Sequence, residues 1–264
     1  MRSEMPDGIK IGVTSEENGR EIREYKTITK ILEPFGFAPE HVTRAESTRA
    51  GLKIKSGNGF GFIHCDTKSK LKIAADFPEL KGLDLTYCSL DTFPETFCIL
   101  DKLEELILSN NNLEWLPGRI SWLKNIEGLY LSNNKLGALP ESLWELKKLS
   151  ILDLSYNPLR EISEKVGELG NLKILKLRGN TMMSLPNSIT GLSNLTCLYL
   201  DGTYLSELPN GMEKLTSLKY LDIRNTGIRQ VPAGIAQIPT LETLLIDRRI
   251  RYPPEIKEKV RYSE

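Results

Sequence analysis

The sequence predicts an α/β solenoid: a right-handed coil with a concave parallel sheet, short helical or 3₁₀ turns on its convex side, and a small N-terminal α/β cap. Three observations predict it. A pattern of leucines and asparagines returns every 23 residues. Within each copy the apolar residues alternate with exposed ones, as on a half-buried strand. Further along each copy an apolar residue followed by proline marks where the chain turns back.

The repeat reads L-x-x-L-x-L-x-x-N-x-L. It stands as Leu103, Leu106, Leu108, Asn111, Leu113, and again as Ile126, Leu129, Leu131, Asn134, Leu136. Its first residues are Leu80, Leu103, Ile126, Leu149, Leu172, Leu195, Leu218 and Leu241, each 23 after the last. One such strand cannot bury its apolar side alone, whereas a stack of them makes a continuous core and a parallel sheet. The asparagines Asn111, Asn134, Asn157 and Asn180 fall in the turn, where an amide side chain can satisfy backbone groups left unpaired inside. Cys88, Thr203 and Thr226 take that ladder position in their copies, and Cys88 is read as structural.

The convex half begins at Phe93-Pro94, Leu116-Pro117, Leu139-Pro140, Leu185-Pro186, Leu208-Pro209 and Val231-Pro232. Apolar residues follow three and six positions after proline, as Ile120 and Leu123 do after Pro117, which suits one short helical or 3₁₀ turn. The fourth copy has Ile162-Ser163 instead and is expected to follow the same path with less rigidity.

With these residues in place, the unit resembles the 23-residue leucine-rich repeat with a Leu-Pro step. It is similar to the repeats of Ras-binding scaffold proteins, plant intracellular Ras-group-related proteins and Scribble-like scaffolds. The resemblance spans residues 80–250 and implies a curved leucine-rich-repeat solenoid with a protein-binding role. It names no partner, because the shared residues are the buried ones.

The ends are expected to be caps. Residues 57–79 read as a degenerate capping repeat, with Phe60, Phe62 and Cys65 at strand and ladder positions and Ala74 and Phe77 on the convex side. Residues 1–56 form a cap or a small module: a strand at Ile9, Ile11 and Val13, a helix from Glu16 to Leu32 capped by Ser15, and a second strand at Leu52 and Ile54. Residues 251–264 are expected to carry a capping helix after Pro253-Pro254.

Composition narrows the function. Lysine plus arginine and aspartate plus glutamate are equal at 35, so no overall charge draws nucleic acid or an anionic membrane. The four cysteines form no C-x-x-C pair and there are two histidines, so neither metal nor cofactor is expected. His64 and Cys65, adjacent in sequence, would point to opposite sides of a strand, and no catalytic set can be assembled. The polar segment from Met1 to Lys10 has no apolar core, so the protein is expected in the cytoplasm. The sequon Asn194-Leu195-Thr196 is then chance, and a monomer is the expected state.

Function is expected on the concave face, where the repeat leaves residue choice free. Tyr130, Ile151, Ile174, Tyr199 and Tyr220 would adjoin across strands, with Tyr156 one residue beyond the face. Asp153, Lys176, Arg178, Asp222 and Arg224 lie among them. Aromatic and aliphatic anchors ringed by charge suit a protein partner. The same face could instead take a small ligand or glycan, and the 1–56 segment could hold an activity of its own.

Overall fold

The computed structural model describes residues 80–262. Before them it describes the strand segments Val13–Glu17 (β1), Arg20–Glu24 (β2), Arg44–Thr48 (β3), Gly51–Ser56 (β4) and Gly59–Ile63 (β5). Each L-x-L stretch forms a strand of three or four residues: Gly82–Asp84 (β6), Glu105–Ile107 (β7), Gly128–Tyr130 (β8), Ile151–Asp153 (β9), Ile174–Lys176 (β10), Cys197–Tyr199 (β11), Tyr220–Asp222 (β12) and Thr243–Ile246 (β13). All pair in parallel, and residues 23 apart are partners, as in Leu106↔Leu129 and Leu152↔Leu175. Sequence period and sheet register are therefore the same number. A ninth strand of the run, Val260–Tyr262 (β14), pairs Val260 with Leu244 after a shorter connection.

The central leucine of each strand is shut away from solvent, as are the leucines flanking it. The asparagines close the turns by one geometry. The Asn111 amide donates to the carbonyls of Leu108 in its own repeat and Leu85 in the preceding one, both at 2.9 Å, while its oxygen accepts from the N–H of Leu90 at 3.0 Å. Asn134, Asn157 and Asn180 repeat this set. Thr203 reaches only the carbonyl of Leu200 in its own repeat; Thr226 donates to that of Ile223 and accepts from the N–H of Ile228, also within its own repeat.

On the convex side, Pro94, Pro117, Pro140, Pro186 and Pro232 each precede a 3₁₀ turn of five residues, as at Gly118–Trp122. Ser163 adopts φ −65°, the proline value, before the turn Glu164–Glu168, and its hydroxyl accepts from the N–H of Lys165. The path is thus kept without the ring. After Pro209 the turn starts late, at Met212–Lys214, behind Gly211 with φ 90°. A second ladder fastens this side. Asn125, Asn171 and Asn194 donate to the carbonyls of Asp101, Lys147 and Gly170, 24 residues back, at 2.6, 2.8 and 2.8 Å.

The ends differ from the sequence expectation. Glu16, Glu17 and Arg20–Glu24 are not helical: β1 and β2 pair antiparallel, with Glu17 opposite Arg20. The two residues between them are Asn18-Gly19, the pair most favoured in two-residue hairpin loops, and that signal outweighs the helical spacing of the apolar residues. Strand β5 does lie at Phe60 and Phe62, but it pairs antiparallel with β4 and does not stack on the first repeat. The strand beside β6 is β3, in parallel, so the sheet runs from β14 to β6 and then β3-β4-β5. Two-residue connections at 49–50 and 57–58 permit only antiparallel pairing, since a parallel crossover needs a dozen residues or more. At the other end the helix is a 3₁₀ segment, Pro254–Lys259, that leads into β14. Ile9, Ile11, residues 25–32, His41, His64, Cys65, Ala74 and Phe77 lie outside the described residues. Among the described residues, no helix is long and apolar enough to cross a membrane.

Candidate binding face

Parallel register sorts the concave side chains into columns. One column runs Ile151, Ile174, Cys197, Tyr220, Thr243 and the next Tyr130, Asp153, Lys176, Tyr199, Asp222, Leu245. Ile151 and Ile174 are neighbours, but Cys197 separates them from Tyr220. Tyr130 is three strands from Tyr199, with Asp153 and Lys176 between. The five apolar residues therefore do not form one unbroken stripe. The structure makes three groups of them: Tyr130 folded back over Gly128, the Ile151–Ile174 pair, and a tyrosine pair.

The tyrosine pair is the most developed. The rings of Tyr199 and Tyr220 meet diagonally with centroids 4.9 Å apart, and the Arg178 guanidinium lies 4.9 Å over the Tyr199 ring. Arg178 is fixed in turn by Asp201 at 2.7 Å and Asp222 at 3.6 Å. Arg224 grips both oxygens of Asp222, at 2.9 and 2.7 Å. Asp222 is wholly buried beneath the two arginines and Asp153 is buried beneath Lys176, 3.2 Å away. The two aspartates thus act as supports, and the half-exposed arginines and lysine form the outer layer.

Electrostatics follow this arrangement. Burial opposes the charge of Arg178, but the hydrogen bond to Asp201 and the charges of Asp201 and Asp222 outweigh it and hold the guanidinium more firmly protonated. Arg224 is held protonated chiefly by its hydrogen bonds to Asp222. Burial pushes both tyrosine hydroxyls above their ordinary value, with Asp222 and Tyr199 adding to the effect at Tyr220.

Tyr156 stands apart from the sheet, in the turn. It belongs to a column with left-handed backbone: Tyr87, Asn110, Asn133, Tyr156, Gly179, Gly202 and Asn225. Its ring covers Gly179, where a β-carbon would lie 2.5 Å from the ring edge, so glycine at φ 61° is required twice over. Tyr87 and Tyr156 are 77% and 52% exposed, in a conformation that tyrosine rarely takes.

Comparison with known proteins agrees with this geometry. Residues 141–218 match the family model of the leucine-rich repeat region, and residues 118–159 and 102–123 match two further leucine-rich-repeat models. The fold is a leucine-rich-repeat solenoid. Among solved structures, the leucine-rich-repeat ectodomain of the Arabidopsis thaliana membrane receptor kinase GASSHO1/SCHENGEN3, in complex with Casparian strip integrity factor 2, is 28% identical with a TM-score of 0.63. That match covers 72% of this chain and 24% of the receptor chain. A TDR receptor is 26% identical with a TM-score of 0.62, covering 68% of this chain and 32% of that one. A leucine-rich-repeat protein of Leptospira interrogans is 27% identical with a TM-score of 0.48, over 72% of this chain and 62% of that one. The solenoid thus spans less than two thirds of each of these structures. No curated protein matches the sequence.

Within the leucine-rich-repeat solenoid, two contributors escaped the sequence reading. Asp201 fixes Arg178, and its signal was its column, 23 residues after Arg178 and 23 before Arg224. Tyr87 shares the turn position of Tyr156. Cys98 is no candidate, because burial, with Glu95 adding, pushes its thiol up to about 11.

Proposed function

We propose that this leucine-rich-repeat solenoid is a non-catalytic binding module that holds a protein partner on its concave face. Its contact residues are Tyr130, Ile151, Ile174, Lys176, Arg178, Tyr199, Tyr220 and Arg224, with Asp153 and Asp222 as buried supports and Tyr156 at the rim. The observation that carries the reading is the Tyr199–Tyr220 pair clamped by Arg178. Its aromatic area is already ordered, so binding costs little side-chain entropy. The receptor ectodomain solved with its factor supports the same use of the fold. The 23-residue period and Leu-Pro step support kinship in type with Ras-binding and Scribble-like scaffold repeats.

The test is to change Tyr130, Tyr199 and Tyr220 to alanine together. A polypeptide retained by the unaltered protein should bind the triple variant at least about tenfold more weakly, as expected for hot-spot truncation. Equal retention by a variant with unchanged circular dichroism and melting would sink the proposal.

A further inference from the structure

The asparagine ladder stops before the stack does. In the earlier copies five positions lead from the last strand leucine to the turn leucine, as from Leu108 to Leu113; in the last copy Ile246 to Ile250 is four. The turn is a residue short, closed by the N–H of Ile250 on the carbonyl of Asp247 at 3.0 Å. No asparagine or threonine stands in it. Arg248 and Arg249 do; the Arg249 side chain is 72% exposed and its guanidinium donates to the carbonyl of Thr226 at 3.3 Å. Four earlier repeats hold a buried amide at this place and the two before the last a threonine hydroxyl; this turn has neither.

A cavity of about 420 Å³ lies between the last two turns. Arg229, Arg249 and Arg251 line it, with Gln230 and Thr226 to Ile228, and among the described residues no carboxylate lines it. Gln230 and Arg251 are bridged in parallel and the Arg251 N–H bonds the Arg229 carbonyl, so the two arginines spring from adjoining backbone. Among the described residues, neither Arg229 nor Arg251 has a carboxylate at ion-pair distance. The one carboxylate near Arg249 among the described residues is Asp247, at 3.7 Å, and it is already engaged by the N–H of Asn225. Three guanidiniums against one shared carboxylate leave an excess of two positive charges.

We infer that this cavity binds a small molecule carrying a phosphate group. Planar guanidinium forks match phosphate oxygens in pairs, and a phosphate dianion balances the excess charge. The volume exceeds a bare phosphate and leaves room for the group that bears it. The site is separate from the concave face and does not depend on the proposed protein partner.

Isothermal titration calorimetry of the full chain with inorganic phosphate, pyrophosphate and phenyl phosphate tests this, with acetate as the singly charged comparison. Pyrophosphate or phenyl phosphate should bind with sub-millimolar affinity and acetate should not. Stronger binding of phenyl phosphate than of inorganic phosphate would mark an organic phosphate as the ligand, and the reverse order would mark the free ion. Arg229→Gln with Arg251→Gln should weaken binding at least about tenfold without lowering the melting temperature, since both side chains are exposed. Should that pair melt early, Arg229→Lys with Arg251→Lys keeps the charge, and loss of binding there reports the missing forks. No heat with any phosphate probe, or binding by the glutamine pair as tight as by the unaltered protein, overturns the inference.

Discussion

Asn157 shows why the turn takes asparagine. Its one amide gives two hydrogens and one oxygen at the reach needed to bond the carbonyls of Leu131 and Leu154 and the N–H of Leu136, all buried. Replacing it with alanine leaves these groups unpaired and should cost about 3 kcal/mol. Thr203→Ala removes a single bond within its own repeat and should cost about 1 kcal/mol. Urea denaturation of both variants checks the ratio. This much was legible, because few side chains offer donor and acceptor together and the spacing repeats. The burial of Asp222 was not legible: a strand pattern marks it as outward-facing, and only the arginines two positions beyond their own strand residues cover it. The tyrosines carry a pH consequence. Their folded values lie above the ordinary one, so the folded state keeps those protons longer than the unfolded chain. The stability this represents is present below about pH 10 and falls as pH rises past it. Urea midpoints measured across that range should drop less steeply in Tyr199→Phe with Tyr220→Phe.

At the scale of single elements, the convex turns separate two roles of proline. The ring fixes φ, yet Ser163 holds the same φ with a hydroxyl bond and an unchanged turn. Proline mainly restricts the unfolded chain here. Ser163→Pro should therefore stabilise the protein by roughly 0.5 to 1 kcal/mol, read as a raised melting temperature. The element most misread from sequence was the first hairpin. Helical spacing and a good cap residue suggested one helix, while Asn18-Gly19 specified two strands. A turn fixes chain direction more strongly than weak apolar periodicity does. The strand after Pro253-Pro254 was hidden for a related reason, since its register follows a shortened connection and not the 23-residue period.

Across the whole molecule, stability is a sum over neighbours, because each repeat touches only the next. Asparagine staples join the repeats from the one holding Leu85 to the one holding Asn180, and are missing at Thr203 and Thr226. Hydrogen exchange should show residues 203–262 opening at lower urea than residues 103–180, with a boundary near Thr203. Uniform exchange over both blocks would contradict this. Each staple also has a direction. The amide of Asn111, Asn134, Asn157 or Asn180 reaches backward, to a carbonyl 26 residues earlier and an N–H 21 residues earlier. A ribosome releases the chain in the opposite sense, amino end first. Each of these four turns thus arrives carrying the group that fastens it to backbone already made, and this part of the stack can be stapled unit by unit during translation.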